Sequence, residues 1–168
     1  MRQVEWKDEA LGLLKRLIVL LLVLITFFVV IFGIKRVDNN QMSPRFFYGD
    51  CVFYYRLENQ YQAGDVVVYR INQQEYLGRV IARGGDSVDI SPDGQVVLNG
   101  NPMIETAIAE KTMMVLDSDV VYPVNLADDE VFILADYREV GRDSRLFGAI
   151  QKTDIQGKAL TALRRSSL

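Results

Sequence analysis

Apolar residues follow two different patterns along the chain. The first is a run over residues 17–34 that holds no charged side chain and a single Thr. At a rise of 1.5 Å per residue, a run of about 18 residues spans roughly 27 Å, close to the thickness of a bilayer core. Basic pairs at residues 15–16 and 35–36 flank it. The pattern predicts one membrane-spanning helix over residues 17–34, preceded by a short N-terminus of residues 1–16.

Two other interpretations of this run fit less well. A cleaved secretory signal is usually shorter and is followed by a site of small residues, whereas residues 33–38 read Gly-Ile-Lys-Arg-Val-Asp. A buried core helix would not need basic pairs at both ends. Four basic residues precede the run and two follow it closely. The positive-inside rule therefore favours a cytoplasmic N-terminus and an extracellular domain after the helix, in the cell membrane.

The second pattern begins after residue 36, where short segments rich in β-branched and aromatic residues are separated by Gly, Asp and Asn. Such segments are typical of strands joined by tight turns. The predicted strands cover residues 51–57, 65–71, 76–82, 87–90, 95–98, 119–124, 130–134 and 148–155. A short helix is predicted for residues 158–163. The expected fold is a mainly β, antiparallel domain over residues 37–168, preceded by the single helix.

Charge and composition exclude several function classes. Residues 1–36 hold six basic and three acidic side chains, and the whole chain has a net charge of −3, so residues 37–168 carry −6. An acidic domain is a poor binder of nucleic acid. The chain has no His, which excludes mechanisms that need an imidazole base and the commonest zinc ligand. Its one Cys excludes an internal disulfide, and we expect no metal and no cofactor.

Five short motifs follow the apolar run in a fixed order. They are Gln41-Met42-Ser43-Pro44, residues 64–69 (Gly-Asp-Val-Val-Val-Tyr), residues 76–86 (Tyr-Leu-Gly-Arg-Val-Ile-Ala-Arg-Gly-Gly-Asp), residues 97–100 (Val-Leu-Asn-Gly), and residues 135–148, which begin Ala-Asp-Tyr-Arg and contain Gly-Arg-Asp-Ser-Arg. Each motif alone is weak evidence. Together, in this order and spacing, they resemble the type I signal peptidases, a family of membrane-anchored serine proteases.

The departures from the family pattern concern the reacting groups. The resemblance implies a Ser nucleophile where Gln41 stands and a Lys general base where Gly78 stands. An amide is not a useful nucleophile, and a Gly cannot take a proton. Two further active-site positions hold Gly141 and Ala135. Ser43 is the one nearby hydroxyl, but no Lys lies in a matching motif to activate it. The chain therefore resembles a catalytically inactive homologue.

The resemblance also implies roles for residues that are retained. A β-lined cleft would bind peptides as an added strand, and the candidates for its surface are Gln41, Met42, Ser43, Pro44, Tyr76 and Gly78. Ion pairs and hydrogen bonds would brace the strands around it, and the candidates for these are Arg79, Asp136, Arg138, Asp143 and Arg145.

Three functions remain open at this point. Signal-peptidase-like proteins that lack the Ser and Lys serve pilus assembly in Gram-positive streptococci, beside sortases. The resemblance therefore implies a membrane-anchored assembly factor or chaperone that binds a pilin subunit or a pilus sortase. The alternatives are an active signal peptidase with an unusual catalytic set and a regulatory decoy of an active signal peptidase. The sequence leaves the oligomeric state open.

Overall fold

The computed structural model describes residues 2–105, 108 and 110–164, with the backbone alone for residues 2–8. The chain begins with one long helix, α1 (Arg2–Ile31). Its segment Glu9–Ile31 is long and apolar enough to cross a membrane, and none of its most apolar window is buried against the rest of the protein. A helix that is apolar on all sides is suited to lipid rather than water.

The remainder of the described chain is mainly β. The strands are β1 (Phe32–Arg36), β2 (Cys51–Tyr55), β3 (Val66–Ile71), β4 (Gln74–Arg83), β5 (Ser87–Ile90), β6 (Val96–Leu98), β7 (Asn101–Pro102), β8 (Val124–Asn125), β9 (Glu130–Leu134), β10 (Ile150–Gln151) and β11 (Ile155–Leu163). A single-turn helix, α2 (Ser144–Phe147), lies between β9 and β10, and a 3-10 turn (Lys152–Asp154) precedes β11.

These strands form two antiparallel sheets. The larger has the order β1-β2-β11-β3-β4-β9-β10, and the smaller has the order β7-β6-β5-β8. The predicted fold class, an antiparallel β domain preceded by one apolar helix, is confirmed. β4 is the longest strand, and it pairs with β3 along its first part and with β9 along its second part. The sequence motifs therefore converge on β4.

Alternation along the strands of the larger sheet sends side chains into two separate cores. On β3, Val66 and Val68 belong to a cluster with Met42, whereas Val67 and Tyr69 belong to a cluster with Ile133. A third cluster, around Phe132 and Val88, joins the two sheets. Since β3 is covered on both faces, its first four residues, Val-Val-Val-Tyr, are all apolar or aromatic and buried.

The membrane helix ends earlier than the apolar run does. α1 stops at Ile31, and residues 32–34 belong to β1, which pairs with β2 in the register Gly33↔Tyr54. A Cβ at Gly33 would overlap the ring of Tyr54. The strand pairing therefore determines where the helix ends, and the β domain begins at residue 32 rather than at residue 37.

Three predicted elements are wrong. Of the strand predicted over residues 148–155, β10 covers only Ile150–Gln151, and the 3-10 turn Lys152–Asp154 follows it. Residues 158–163 are not a helix but the second half of β11, which lies between β2 and β3 and pairs with both. The helix-favouring Ala, Leu and Lys of this segment are overridden because two strands need a partner there. The strand predicted over residues 119–124 is reduced to Val124–Asn125. Pro123 stands directly before it and has no N–H to donate to a sheet.

Candidate functional site

The loop between β1 and β2 carries the first motif and is held to the last motif by its backbone. Gln41 donates its N–H to Asn39 Oδ1 over 3.0 Å, and its carbonyl accepts from the N–H of Tyr137 over 2.9 Å. Met42 is 1% exposed, and its Sδ accepts from the N–H of Asp136 over 3.4 Å. Gln41 itself is half-buried. The structure therefore brings together two motifs that are far apart in the sequence.

An ion pair connects β4 to the segment that follows β9. Arg79 Nε and Nη2 donate to the two carboxylate oxygens of Asp136 over 2.7 and 2.5 Å, and Nη1 donates to the Gly64 carbonyl over 2.8 Å. The two side chains are 16% and 5% exposed. A bidentate pair determines orientation as well as distance. Three of the five motifs meet at this guanidinium.

The Arg138 side chain donates four hydrogen bonds, and the residue is 2% exposed. Its Nη1 and Nη2 donate to the carboxylate of Glu105 over 3.1 and 2.5 Å, and Nη1 also donates to Thr112 Oγ1. Its Nε donates to the Ala135 carbonyl over 2.7 Å, and its N–H donates to Glu110 Oε2 over 3.0 Å. Arg138 therefore holds the long segment between β7 and β8 against the end of β9.

Asp143 and Arg145 form a second buried pair beside Arg138, and they are 1% and 3% exposed. Arg145 Nε and Nη2 each donate to Asp143 over 2.9 Å, and Nη2 also donates to the Arg138 carbonyl over 2.7 Å. Asp143 caps α2 and accepts from the N–H of Ala135 over 3.0 Å. All five residues proposed as braces thus take part in ion pairs or hydrogen bonds around the end of β9.

Sequence reasoning missed several partners of these braces. Glu105, Glu110 and Thr112 lie in a segment without strand periodicity, and no sequence pattern indicates their contacts with Arg138. Ser144 is fully buried, and its Oγ accepts from the N–H of Ile133 over 2.9 Å. The Asp-Ser-Arg motif contains Ser144, so the motif offered a signal for this residue.

The space in front of Gly78 is filled by other side chains. Gly78 lies opposite Val67 on β3, and Tyr69 is two residues further along the same strand. A Cβ added to Gly78 would lie 2.5 Å from Ile133 Cγ2 and 3.2 Å from Tyr69 Cε1. Tyr69 is fully buried, and its hydroxyl donates to the Arg142 carbonyl over 3.2 Å. Burial raises the pKa of Tyr69, with a further contribution from Asp143, so this residue supplies a neutral phenol.

The neighbouring Gly141 is enclosed in the same way. A Cβ added to it would lie 2.5 Å from Ala135 Cβ, 2.8 Å from Asp143 Oδ2 and 3.0 Å from Arg145 Nη2. Real Cβ atoms do not approach other atoms this closely, so even a Ser at residue 141 would require the braces to move. Both positions are closed by the surrounding packing.

The proposed cleft residues differ in accessibility. Tyr76 is 5% exposed, because alternation along β4 directs it into the core, where it stacks on Tyr69 at 5.5 Å between ring centroids. Met42 and Gly78 are also buried. These three residues therefore offer no side chain to a ligand. Ser43 is half-buried and Pro44 is exposed.

An open groove lies at the β3–β4 hairpin, where the unpaired edge of β4 begins. Among the residues that the structure describes, none pairs with Gln74, Glu75, Tyr76, Leu77 or Gly78 along the edge opposite β3, because pairing with β9 begins at Arg79. The groove has a volume of about 600 Å³. It is lined by Lys35, Asp38, Arg70, Gln73, Gln74 and Glu75.

This arrangement suits binding better than it suits catalysis. The unpaired edge can receive an extended chain by strand addition, and the groove volume falls within the range of ligand sites. Among the described residues, no group of three or more His, Cys, Asp or Glu side chains is arranged to hold a metal ion. The fold and the site define a signal-peptidase-like β domain that follows a helix long and apolar enough to span a membrane.

Comparisons with known proteins agree with this class. Residues 10–163 match the family described as signal peptidase, peptidase S26. The chain belongs to this family. It is 32% identical to a Staphylococcus aureus (strain Mu50) protein named inactive signal peptidase IA, over 133 aligned residues that cover 72% of each chain. It is 28% identical to signal peptidase I S of Bacillus subtilis (strain 168), over 76% of this chain and 74% of that one.

The fold is shared with a solved structure. The crystal structure of a signal peptidase I from Enterococcus faecalis V583 superposes with a TM-score of 0.52 at 22% identity, covering 61% of this chain and 97% of that chain. The resemblance to type I signal peptidases is thus confirmed for both sequence family and fold.

Proposed function

We propose that this protein is a non-catalytic, membrane-anchored signal-peptidase-like protein that binds an extended polypeptide. The observation that carries the proposal is the packing at Gly78. In the family pattern this position holds a Lys, and here Ile133 and Tyr69 occupy the space that its side chain would need. With Gln41 at the position of the Ser, the chain has neither the nucleophile nor room for the base.

Binding does not require those groups. The unpaired edge of β4 and the groove beside it are retained although the space at Gly78 is filled. Main-chain hydrogen bonds along such an edge supply affinity, and side-chain pockets supply selectivity. The S. aureus relative is named inactive signal peptidase IA, which supports a family branch in which cleavage has been lost.

We infer that the bound polypeptide belongs to a pilus-assembly system, either a pilin subunit or the sortase that joins pilins. The support is the resemblance to signal-peptidase-like assembly proteins that lack the Ser and Lys. With the N-terminus in the cytoplasm, the β domain lies on the extracellular side of the cell membrane, where such subunits are joined. Its net charge of −6 over residues 37–168 makes nucleic acid an unsuitable partner.

Deletion of the gene in its native host tests the proposal. We expect covalent pilus polymers to be absent from cell-wall extracts and to return when the wild-type chain is supplied in trans. The variant Ser43→Ala should restore them equally well, because no proteolysis is needed. Normal polymers in the deletion strain would contradict the assembly role.

Two further outcomes distinguish the alternatives. Failure of Ser43→Ala to restore polymers, together with cleavage of a preprotein by the purified wild-type protein alone, would indicate an active peptidase. Crosslinking in cells that captures an active signal peptidase, and neither pilin nor sortase, would indicate a regulatory decoy.

A further inference from the structure

Lys35 occupies a position on β1 where the strand pattern calls for an apolar residue. Along β1, Gly33 and Lys35 are buried, whereas Ile34 and Arg36 are exposed. Lys35 is 7% exposed and lies opposite Val52, which is fully buried. Its ammonium group nevertheless lines the open groove, so the buried part is the aliphatic stem and the charge stays within reach of a ligand.

The ion pair between Lys35 and Asp38 is weak. Asp38 Oδ2 lies 4.0 Å from Lys35 Nζ, and the Asp38 side chain is 59% exposed. The other carboxylate oxygen of Asp38 accepts from Asn39 Nδ2 over 2.9 Å. Since an ammonium carries three donors, most of the hydrogen-bonding capacity of Lys35 is not used by this contact.

The other charges of the groove compensate for each other. Arg70 Nη2 donates to Glu75 Oε1 over 2.7 Å, across the hairpin that joins β3 to β4. Arg70 therefore has its own carboxylate, and Lys35 is the cation of the groove with the weakest ion pair. Gln73 and Gln74 complete the wall with neutral amides, which can bond either to the backbone or to the side chains of a ligand.

We propose that the groove selects polypeptides that carry an acidic side chain, and that this carboxylate pairs with Lys35. The inference rests on the proposed function, in which an extended chain adds to the edge of β4. Alternate side chains of an added strand point to the same side, so a fixed register places one ligand position over Lys35. A carboxylate there supplies the charge-assisted hydrogen bonds that Asp38 leaves unmade.

A phage-displayed library of random 12-residue peptides tests the selection. The bait is the full-length protein in dodecyl maltoside micelles. We expect peptides retained by the wild type to be enriched in Asp or Glu at one position of a shared pattern, and Lys35→Met to remove this enrichment. Lys152→Met is the matched control, because Lys152 bonds to the Asp128 carbonyl outside the groove, and it should select as the wild type does.

Affinities of one selected peptide then give the size of the effect. Replacing its acidic residue by the corresponding amide should weaken binding to the wild type about ten- to a hundredfold, as for the loss of a charge-assisted hydrogen bond. Lys35→Met should bind both peptides equally. Asp38→Asn should bind the acidic peptide more tightly than the wild type, because it removes the competing carboxylate.

The outcomes separate this inference from the function on which it rests. If the wild type retains no peptide above the level of empty micelles, the proposed peptide binding itself is contradicted. If peptides are retained without acidic enrichment, or if Lys35→Met selects the same acidic pattern, peptide binding stands and the role of Lys35 is overturned. Lys35→Met removes the charge while keeping a stem of similar length, so the variant should fold, which far-ultraviolet circular dichroism verifies.

Discussion

Tyr69 Cε1 lies 3.2 Å from the point where Gly78 would carry a Cβ. The phenol ring comes from the neighbouring strand and lies diagonally across from Gly78 in the sheet. It stacks on Tyr76 and donates its hydroxyl hydrogen to the Arg142 carbonyl. The ring is therefore an integral part of the core, and it would have to move if a longer side chain replaced Gly78.

This packing predicts that catalysis cannot be restored by two substitutions. We expect the double variant Gln41→Ser, Gly78→Lys to leave a preprotein uncleaved, as judged by electrophoresis after incubation with the purified protein. The added side chain overpacks the core, so Gly78→Lys should lower the free energy of unfolding by about 1–3 kcal/mol. Gly12→Ala is the control, because nothing lies within 4 Å of its added Cβ. Cleavage by the double variant would show that the core adapts.

The buried and the exposed ion pairs predict different losses of stability when one partner is removed. Arg138→Met leaves the Glu105 carboxylate without its buried partner, so we expect a loss of about 3–5 kcal/mol in chemical denaturation. Arg70→Met breaks a pair whose side chains are 48% and 30% exposed, and it should cost less than about 1 kcal/mol. Equal losses in the two variants would mean that the burial of Arg138 is not what makes its contacts important.

Removal of the Ser144 hydroxyl should also lower the free energy of unfolding. Ser144→Ala removes the acceptor for the buried N–H of Ile133, and an unpaired buried donor costs about 1–3 kcal/mol. Ser118→Ala is the matched control, because that hydroxyl is only half-buried and donates to the Val115 carbonyl within a local turn. Denaturant titration of both variants, with the slope of the transition verified as unchanged, measures the difference. A Ser144→Ala protein as stable as the Ser118→Ala protein would contradict the assignment.

Buried tyrosines predict a loss of stability at high pH. Burial raises the pKa of Tyr61 to about 12 and that of Tyr122 to about 12, from an ordinary value of 10.0. Between pH 10 and pH 12 the unfolded chain loses these protons while the folded chain keeps them. The stability is therefore fully present below pH 10 and falls as pH rises towards the folded-state values.

Tyrosine ionisation and unfolding can be followed together. Absorbance at 295 nm reports phenolate, and near-ultraviolet circular dichroism reports the fold. We expect Tyr122→Phe to reduce the loss of stability above pH 10 and to leave the stability at pH 7 nearly unchanged, because the hydroxyl of Tyr122 has no hydrogen-bond partner within the described structure. If the folded wild type showed phenolate absorbance at pH 10 that Tyr122→Phe lacked, the raised pKa of Tyr122 would be contradicted.

The general plan of the molecule could be predicted from the sequence, and the details of the site could not. Alternating β-branched residues and Gly-Asp turns indicated the central strands, because local chemistry determines both. The helix predicted at residues 158–163 failed because β2 and β3 impose a strand on that segment. The filling of the space at Gly78 depends on Ile133, which strand pairing brings close and no local pattern reports.

The burial of Lys35 is another feature that no local sequence pattern reports. Beside Arg36 at the end of an apolar run, Lys35 matches the pattern of a membrane-end residue, and that pattern gives no reason to include it in a candidate site. The structure places residues 32–36 in β1, so the two neighbouring basic side chains point to opposite faces of a strand. Only the pairing of β1 with β2 reveals that Lys35 faces inward.

The helix and the β domain are joined without a linker. α1 ends at Ile31, and β1 begins at the next residue. Arg56 spans this junction, because its N–H donates to the Ile31 carbonyl over 2.8 Å and its Nε donates to the Phe32 carbonyl over 3.1 Å. A domain of this size has a radius of gyration of only about 14 Å. In the proposed membrane-anchored protein, the absence of a linker therefore keeps the groove within a few nanometres of the lipid headgroups. The search for a ligand is then two-dimensional, and polypeptides still attached to the same bilayer meet the groove at a far higher local concentration than released ones.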